Sequence, residues 1–184
     1  HVASAGAPEP GTPELCLVAS GGHTSLFRID GSGVPHELGR TRDDAAGEAF
    51  DKVARLLGLP FPGGPALSAL AATGNPKTVD LPRPLLGQDG YDFSFSGLKT
   101  AVAIRTERDP GVHPADLAAA FEATVVEALV RTLTRAAKAF DLHHVVVVGG
   151  VAANAVLRAA LAETTLTVRM PIPSLATDNG AMIA

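Results

Sequence analysis

His144-Val145-Val146-Val147-Val148-Gly149-Gly150 is an unbroken valine run closed by a glycine pair. β-Branched side chains suit a pleated strand, and a strand apolar at every position is one covered on both faces. The glycines end it, and Asn154 to Glu163 carries the next helix. Beyond it, Thr165–Met170 reads as a last strand, and Thr177-Asp178 opens a last helix. On the other side, Pro114 is well placed to start a long helix through Phe140. Its apolar stripe (Leu117, Phe121, Val125, Leu129, Leu133, Ala136, Phe140) follows the helical period. Further back, Leu15–Ala19 and Ser25–Ile29 read as strands joined by the polar turn Ser20-Gly21-Gly22-His23-Thr24, and Pro35–Arg40 as a third strand. A helix is predicted from Asp43 to Leu57. Pro60 to Pro65 forms a rigid loop into a helix near Ala66–Ala72, and residues 73–97 are irregular. Antiparallel strands followed by strand–helix–strand–helix predict an α/β chain, a mixed sheet with helices packed on it.

The chain has 184 residues, enough for one good core, with 46% hydrophobic and 18% charged residues. That composition describes a globular protein and excludes a disordered one. A net charge of -4 supplies no global basic field, so a nucleic-acid partner would need a local patch or another subunit. The single cysteine, Cys16, excludes an internal disulfide and fits a reducing compartment, where it packs rather than reacts. No apolar stretch approaches membrane-spanning length, and no leader-like signal precedes the first strand, so a cytoplasmic location is expected. The chain starts at His1 and stops inside an apolar run, and both ends read as cut from something longer.

Asp43 to Lys52 (DDAAGEAFDK) is the most acidic stretch. As a helix it places Asp44, Glu48 and Asp51 within about 60° of one another, opposite an apolar face. The stripe fits an acidic wall of a cleft. It fits equally a solvated helix laced by the pairs Glu48–Lys52 and Asp51–Arg55. In Ser20–Thr24, adjacent glycines allow positive φ and let successive N–H groups converge on an anion, against the alternative of a plain hairpin turn. Gly149 to Asn154 lies between a buried strand and a helix. A flat ligand can approach the backbone there, with Asn154 offering donor and acceptor, unless Asn154 simply caps the helix. Asp178, in Thr177-Asp178-Asn179-Gly180, is a candidate cation ligand or an N-terminal cap. Tyr91 to Thr100 is an edge strand burying Phe93 and Phe95, or a loop bringing Lys99 to a phosphate. No nucleophile–base pair of a protease is visible.

In this order the pieces resemble the universal tRNA threonylcarbamoyltransferase family, TsaD in bacteria and Kae in archaea and eukaryotes, formerly labelled O-sialoglycoprotein endopeptidase. The matching blocks are Ser20–Thr24, Asp43–Lys52, Leu56–Pro65 (LLGLPFPGGP), Asp92–Thr100 (DFSFSGLKT), Gly149–Asn154 and Thr177–Ala184 (TDNGAMIA). The resemblance implies a lobe of the actin-like ATPase (ribonuclease H-like) fold. Residues 1–13 would connect to a missing first lobe, and residues 14–184 would form the second. It implies transfer of the threonylcarbamoyl group from threonylcarbamoyl-adenylate to N6 of the adenosine next to the anticodon of tRNA, with TsaB- and TsaE-type subunits as partners. Val18, Ala19, Ser20, Gly21 and Gly22 would contact the substrate, Asp51 and Gly64 would line the same pocket, and Asn154 would meet adenine or sugar. Asp51 is cast as a hydroxyl acceptor for a ribose, and no catalytic base is identified. One divalent metal, iron with zinc as the alternative, would be held by His1 and Asp178, while the first histidine of the family's HxxxH pair is absent. The chain alone is expected to be inactive. The competing readings are a non-catalytic paralogue scaffolding the modification complex and an actin-fold ATPase or phosphotransferase requiring Mg²⁺.

Overall fold

A computed structural model of the chain describes residues 11–172. Five strands form one sheet in the order β3-β2-β1-β4-β5: β1 Glu14–Ala19, β2 Thr24–Ile29, β3 Pro35–Arg40, β4 His144–Val148 and β5 Thr167–Arg169. β1, β2 and β3 form an antiparallel meander, whereas β4 runs parallel to β1 and β5 parallel to β4. The mixed sheet expected from the strand order is therefore present. Side chains alternate across it. Leu15, Leu17, Ala19, Val145 and Val147 join the helices in the main core, and Cys16, Val146 and Val148 form a smaller cluster on the opposite face. The valine strand is buried on both faces.

Among the described residues, five α-helices accompany the sheet: α1 Ala46–Leu56, α2 Gly63–Ala71, α3 Ser96–Arg108, α4 Pro114–Phe140 and α5 Ala155–Ala162. α4 is the longest, with Pro114 in its first turn and its apolar stripe from Leu117 to Ala136 buried. Phe121 on this stripe meets Phe50 of α1 edge-on, ring centroids 5.2 Å apart. Each such fully buried large side chain contributes roughly 2 kcal/mol relative to exposure. The helices are thus fixed against the sheet mainly by α4.

Four expectations need correction. α1 starts at Ala46, so Asp43 and Asp44 lie in the segment before it and share no helix face with Glu48 and Asp51. α2 starts at Gly63, inside the stretch read as loop, because the proline-rich run delivers the chain to a helix start at Pro62. The third correction is α3. Phe93 and Phe95 are buried, but Phe93 makes only an isolated bridge to Thr41, and a helix starts at Ser96. β5 is also shorter than predicted. The last helix opened by Thr177-Asp178 lies outside the described residues.

Candidate ligand cavity and its polar wall

Because β1 and β4 are parallel, their carboxyl ends lie at one sheet edge, the usual place for ligands in open α/β sheets. A cavity of about 460 Å³ opens there, lined by Gly21, Gly47, Phe50, Asp51, Pro62, Gly64, Pro65, Ser68 and the Gly150–Ala155 turn. The walls come close together because glycine permits backbone-to-backbone contact. Gly149 has φ +96°, and a Cβ there would sit 2.3 Å from the Ala19 carbonyl oxygen. A Cβ on Gly47 would lie 2.7 Å from the Ser20 oxygen, so α1 rests directly on the turn after β1. Any side chain at either position forces the two strand ends or α1 apart.

The turn after β1 is closed on itself. The Ser20 hydroxyl accepts from the N–H groups of His23 at 3.1 Å and Gly22 at 3.4 Å, and the Ser20 N–H donates to the His23 carbonyl. Neither Gly21 nor Gly22 has positive φ. The expected convergence of free N–H groups on an anion is therefore replaced by an internally bonded turn. Thr24 is buried, and its hydroxyl accepts from the Ala46 N–H, tying the first turn of α1 to β2. Of Val18, Ala19, Ser20, Gly21 and Gly22, only Gly21 lines the cavity; Ala19 is buried beneath it.

The acidic stretch divides between two tasks. Asp43 collects four hydrogen bonds at the start of α3, from the Ser94 and Ser96 hydroxyls and the N–H groups of Phe95 and Ser96. Partial burial pushes its carboxyl pKa up, but these hydrogen bonds together outweigh it and hold the group below the usual carboxylate range. Asp44 and Glu48 both pair with Lys52, at 2.6 and 3.0 Å. Glu48 is on the solvated side, as its pairing alternative predicted. Asp51 alone reaches the cavity. One of its oxygens accepts from the Gly63 N–H at 2.9 Å, which caps α2, and among the described residues it makes no ion pair with Arg55.

The opposite wall was not foreseen in full. Asn154 caps α5, its carboxamide oxygen accepting from the Leu157 N–H at 2.8 Å. Its amide donates to Glu122 at 2.6 Å and to the Ser68 hydroxyl at 3.1 Å. Ser68 in turn donates to the same Glu122 oxygen at 2.5 Å. Glu122 is 4% exposed, and among the described residues no cation pairs with it. Asn154, Gly64 and Ser68 line the cavity, and Glu122 lies behind Ser68 and Asn154; neither Ser68 nor Glu122 was foreseen from the sequence. Lys99 is exposed on α3 and does not line the cavity. Burial, with Glu14 adding to it, pushes the Cys16 thiol up to about 12, which suits a packing role. His1 and Asp178 lie outside the described residues, and no cluster of three or more metal-ligating side chains occurs among the described residues.

A mixed sheet carrying helices, with a cavity at the carboxyl ends of its central parallel strands, defines one α/β lobe of the ATPase-like kind. The crystal structure of T.kodakarensis HypF superposes on 98% of this chain and 34% of its own with a TM-score of 0.74, at 16% identity, a likeness of fold. The family model for TsaD, tRNA N6-adenosine threonylcarbamoyltransferase, matches residues 1–184, and the chain belongs to that family. A relative of that name from Bordetella petrii is 55% identical over 96% of this chain and 54% of its own length. One from Thermomicrobium roseum is 50% identical over 96% and 55%. The chain spans about half the length of the curated relatives it matches.

Proposed function

We propose that the protein transfers a threonylcarbamoyl group from threonylcarbamoyl-adenylate to N6 of an adenosine in tRNA, and that the cavity at the β1 and β4 ends takes the adenylate. The observation that carries this reading is the meeting of Gly21, Asp51, Gly64 and Asn154, far apart in sequence, around one cavity in a member of this family. Its 460 Å³ is within the range of small-ligand sites. The donor is already activated. The N6 amine attacks the carbamoyl carbon, a C–N bond forms, the C–O bond to phosphate breaks and AMP leaves. Such a reaction depends more on positioning than on a strong base, in keeping with the absence of an identified one. In this reading the turn at Gly21 and the α5 start hold the nucleotide, and Asp51 accepts from it.

On the resemblance alone, the reading includes one divalent metal, iron or zinc, with His1 and Asp178 as ligands from this chain; no step is routed through it. It also includes TsaB- and TsaE-type partner subunits and a cytoplasmic setting. Among the described residues no helix is long and apolar enough to cross a membrane. The test supplies threonylcarbamoyl-adenylate and an unmodified tRNA transcript to the native full-length protein with its partner subunits, then digests the tRNA for nucleoside mass spectrometry. Threonylcarbamoyladenosine is the expected product. No modified nucleoside there, with ATP hydrolysis by the full-length protein alone in a separate reaction containing ATP and Mg²⁺, would favour the phosphotransferase alternative instead.

A further inference from the structure

We propose that Glu122 is a positioning residue that draws the Ser68 hydroxyl proton away from the cavity, so that Ser68 offers only a lone pair there and the bound ligand must present a donor to it. This rests on the adenylate reading above and adds to it a rule for which edge of the ligand meets which wall.

The polarity follows from a chain of unambiguous donors. The Leu157 N–H can only donate, so the Asn154 atom facing it at 2.8 Å is the oxygen. The other Asn154 atom is then the amide nitrogen, which can only donate, and its partners are Glu122 Oε1 and Ser68 Oγ. Ser68 accepts from Asn154, and its single proton goes to Glu122 Oε1 at 2.5 Å. The Ser68 proton is committed to Glu122. What Ser68 has left toward the cavity is a lone pair, and the Asp51 carboxylate on the neighbouring wall offers lone pairs as well.

Glu122 sets this arrangement because it is the common acceptor. Without it, the Ser68 hydroxyl would turn freely and could donate to a ligand, and the Asn154 amide would lose its nearest partner. A carboxylate side chain only 4% exposed, with no cation beside it among the described residues, is costly for a fold to keep. Glu127, on the same helix, sits at the surface against Arg83 and Arg131 and shows the ordinary alternative. Within an adenylate the matching donors are the ribose hydroxyls or the adenine amino group.

The test measures binding of AMP, 2′-deoxy-AMP, 3′-deoxy-AMP and IMP by calorimetry to the native full-length protein and its variants. The first two analogues each remove a ribose donor, and IMP removes the amino donor. One lost hydrogen bond corresponds to roughly a tenfold loss of affinity. The wild-type protein is expected to discriminate against at least one analogue by about that factor, which identifies the donor. Glu122→Met is expected to bind AMP roughly tenfold more weakly and to lose most of that discrimination. Glu122→Gln keeps a carbonyl oxygen able to accept both bonds and is expected to retain it. Ser68→Ala, which leaves Glu122 and Asn154 paired, is expected to blunt the same discrimination, and together with Glu122→Gln decides the matter if Glu122→Met does not fold. A merely structural Glu122 would lower the melting temperature of Glu122→Met and leave analogue preference intact, overturning the proposal while sparing the adenylate reading. Loss of discrimination in Glu122→Gln, or full discrimination in Ser68→Ala, would also overturn it. A wild-type protein that binds no AMP at saturating concentration would overturn both.

Discussion

Asp43 and Glu122 each gather several donors onto one carboxylate, yet they serve opposite ends of the design. Asp43 is exposed and holds the start of α3 through four hydrogen bonds, none of which faces the cavity. Glu122 is buried, takes two hydrogen bonds on one oxygen, and both donors lie on the cavity wall. The first is a clamp whose partners are local loop residues. The second reaches across α2, α4 and the start of α5. The difference teaches that the most heavily hydrogen-bonded acid of the conspicuous stretch braces the frame, whereas the carboxylate that gathers the cavity's polar side chains is one that burial hides.

The largest expected effect breaks both regions together. Gly149→Val places a side chain against the Ala19 carbonyl at a positive φ, and is expected to cost more than about 3 kcal/mol. Urea denaturation should show little folded protein. Separating the two regions comes next. Asp43→Ala is expected to lose about 1 to 2 kcal/mol, discounted for solvent screening of an exposed group, with AMP affinity unchanged. Its pH dependence sharpens the point. The folded pKa of Asp43 is lowered, so its stabilisation is present above the unfolded value near pH 4 and is lost as pH falls through the folded value. Melting curves of wild type and Asp43→Ala should therefore converge in acid. Asp51→Asn keeps an oxygen for the Gly63 N–H but gives up charge facing the cavity, and AMP affinity should fall roughly tenfold by calorimetry. Smallest of all, Lys52→Met breaks one solvated pair with Glu48 and one with the partly buried Asp44, and should lower the melting temperature only slightly in thermal melts.

Much of the frame was legible because its signals are local. The valine run, the β1–β2 hairpin and the α4 stripe each carry their period in consecutive residues. α3 was not legible: Ser96 to Arg108 has apolar residues at only a few positions, and its start is fixed by Asp43, fifty residues earlier. The same holds for the acidic stretch. Its helical period is real from Ala46 onward, but Thr41 to Asp44 bends, closed by the Thr41 hydroxyl on the Asp44 carbonyl and anchored to β2 and Phe93 by contacts that no window of ten residues contains. At the cavity, glycine pairs and Asn154 announced themselves at strand ends. Ser68 and Glu122 did not, because a serine on a small helix and a glutamate beside Phe121 look like ordinary surface residues. Glu122 and Glu127 stand five apart in one amphipathic helix, and only the packing of α2 against α4 tells them apart.

The parallel pairing of β1 with β4 also bears on assembly. Leu15 meets Val145 only after the meander, α1, α2, α3 and all of α4 have been synthesised, whereas the hairpin and α4 depend on near neighbours alone. Contacts of such long sequence separation carry a loop-closure cost that local ones do not. The cavity exists only once β4 lies beside β1, with the turn at Gly149 closed over Ala19. A ligand that binds there recognises only the completed chain and stabilises it by mass action. Nucleotide should therefore raise the melting temperature of the folded chain, and more so at higher concentration.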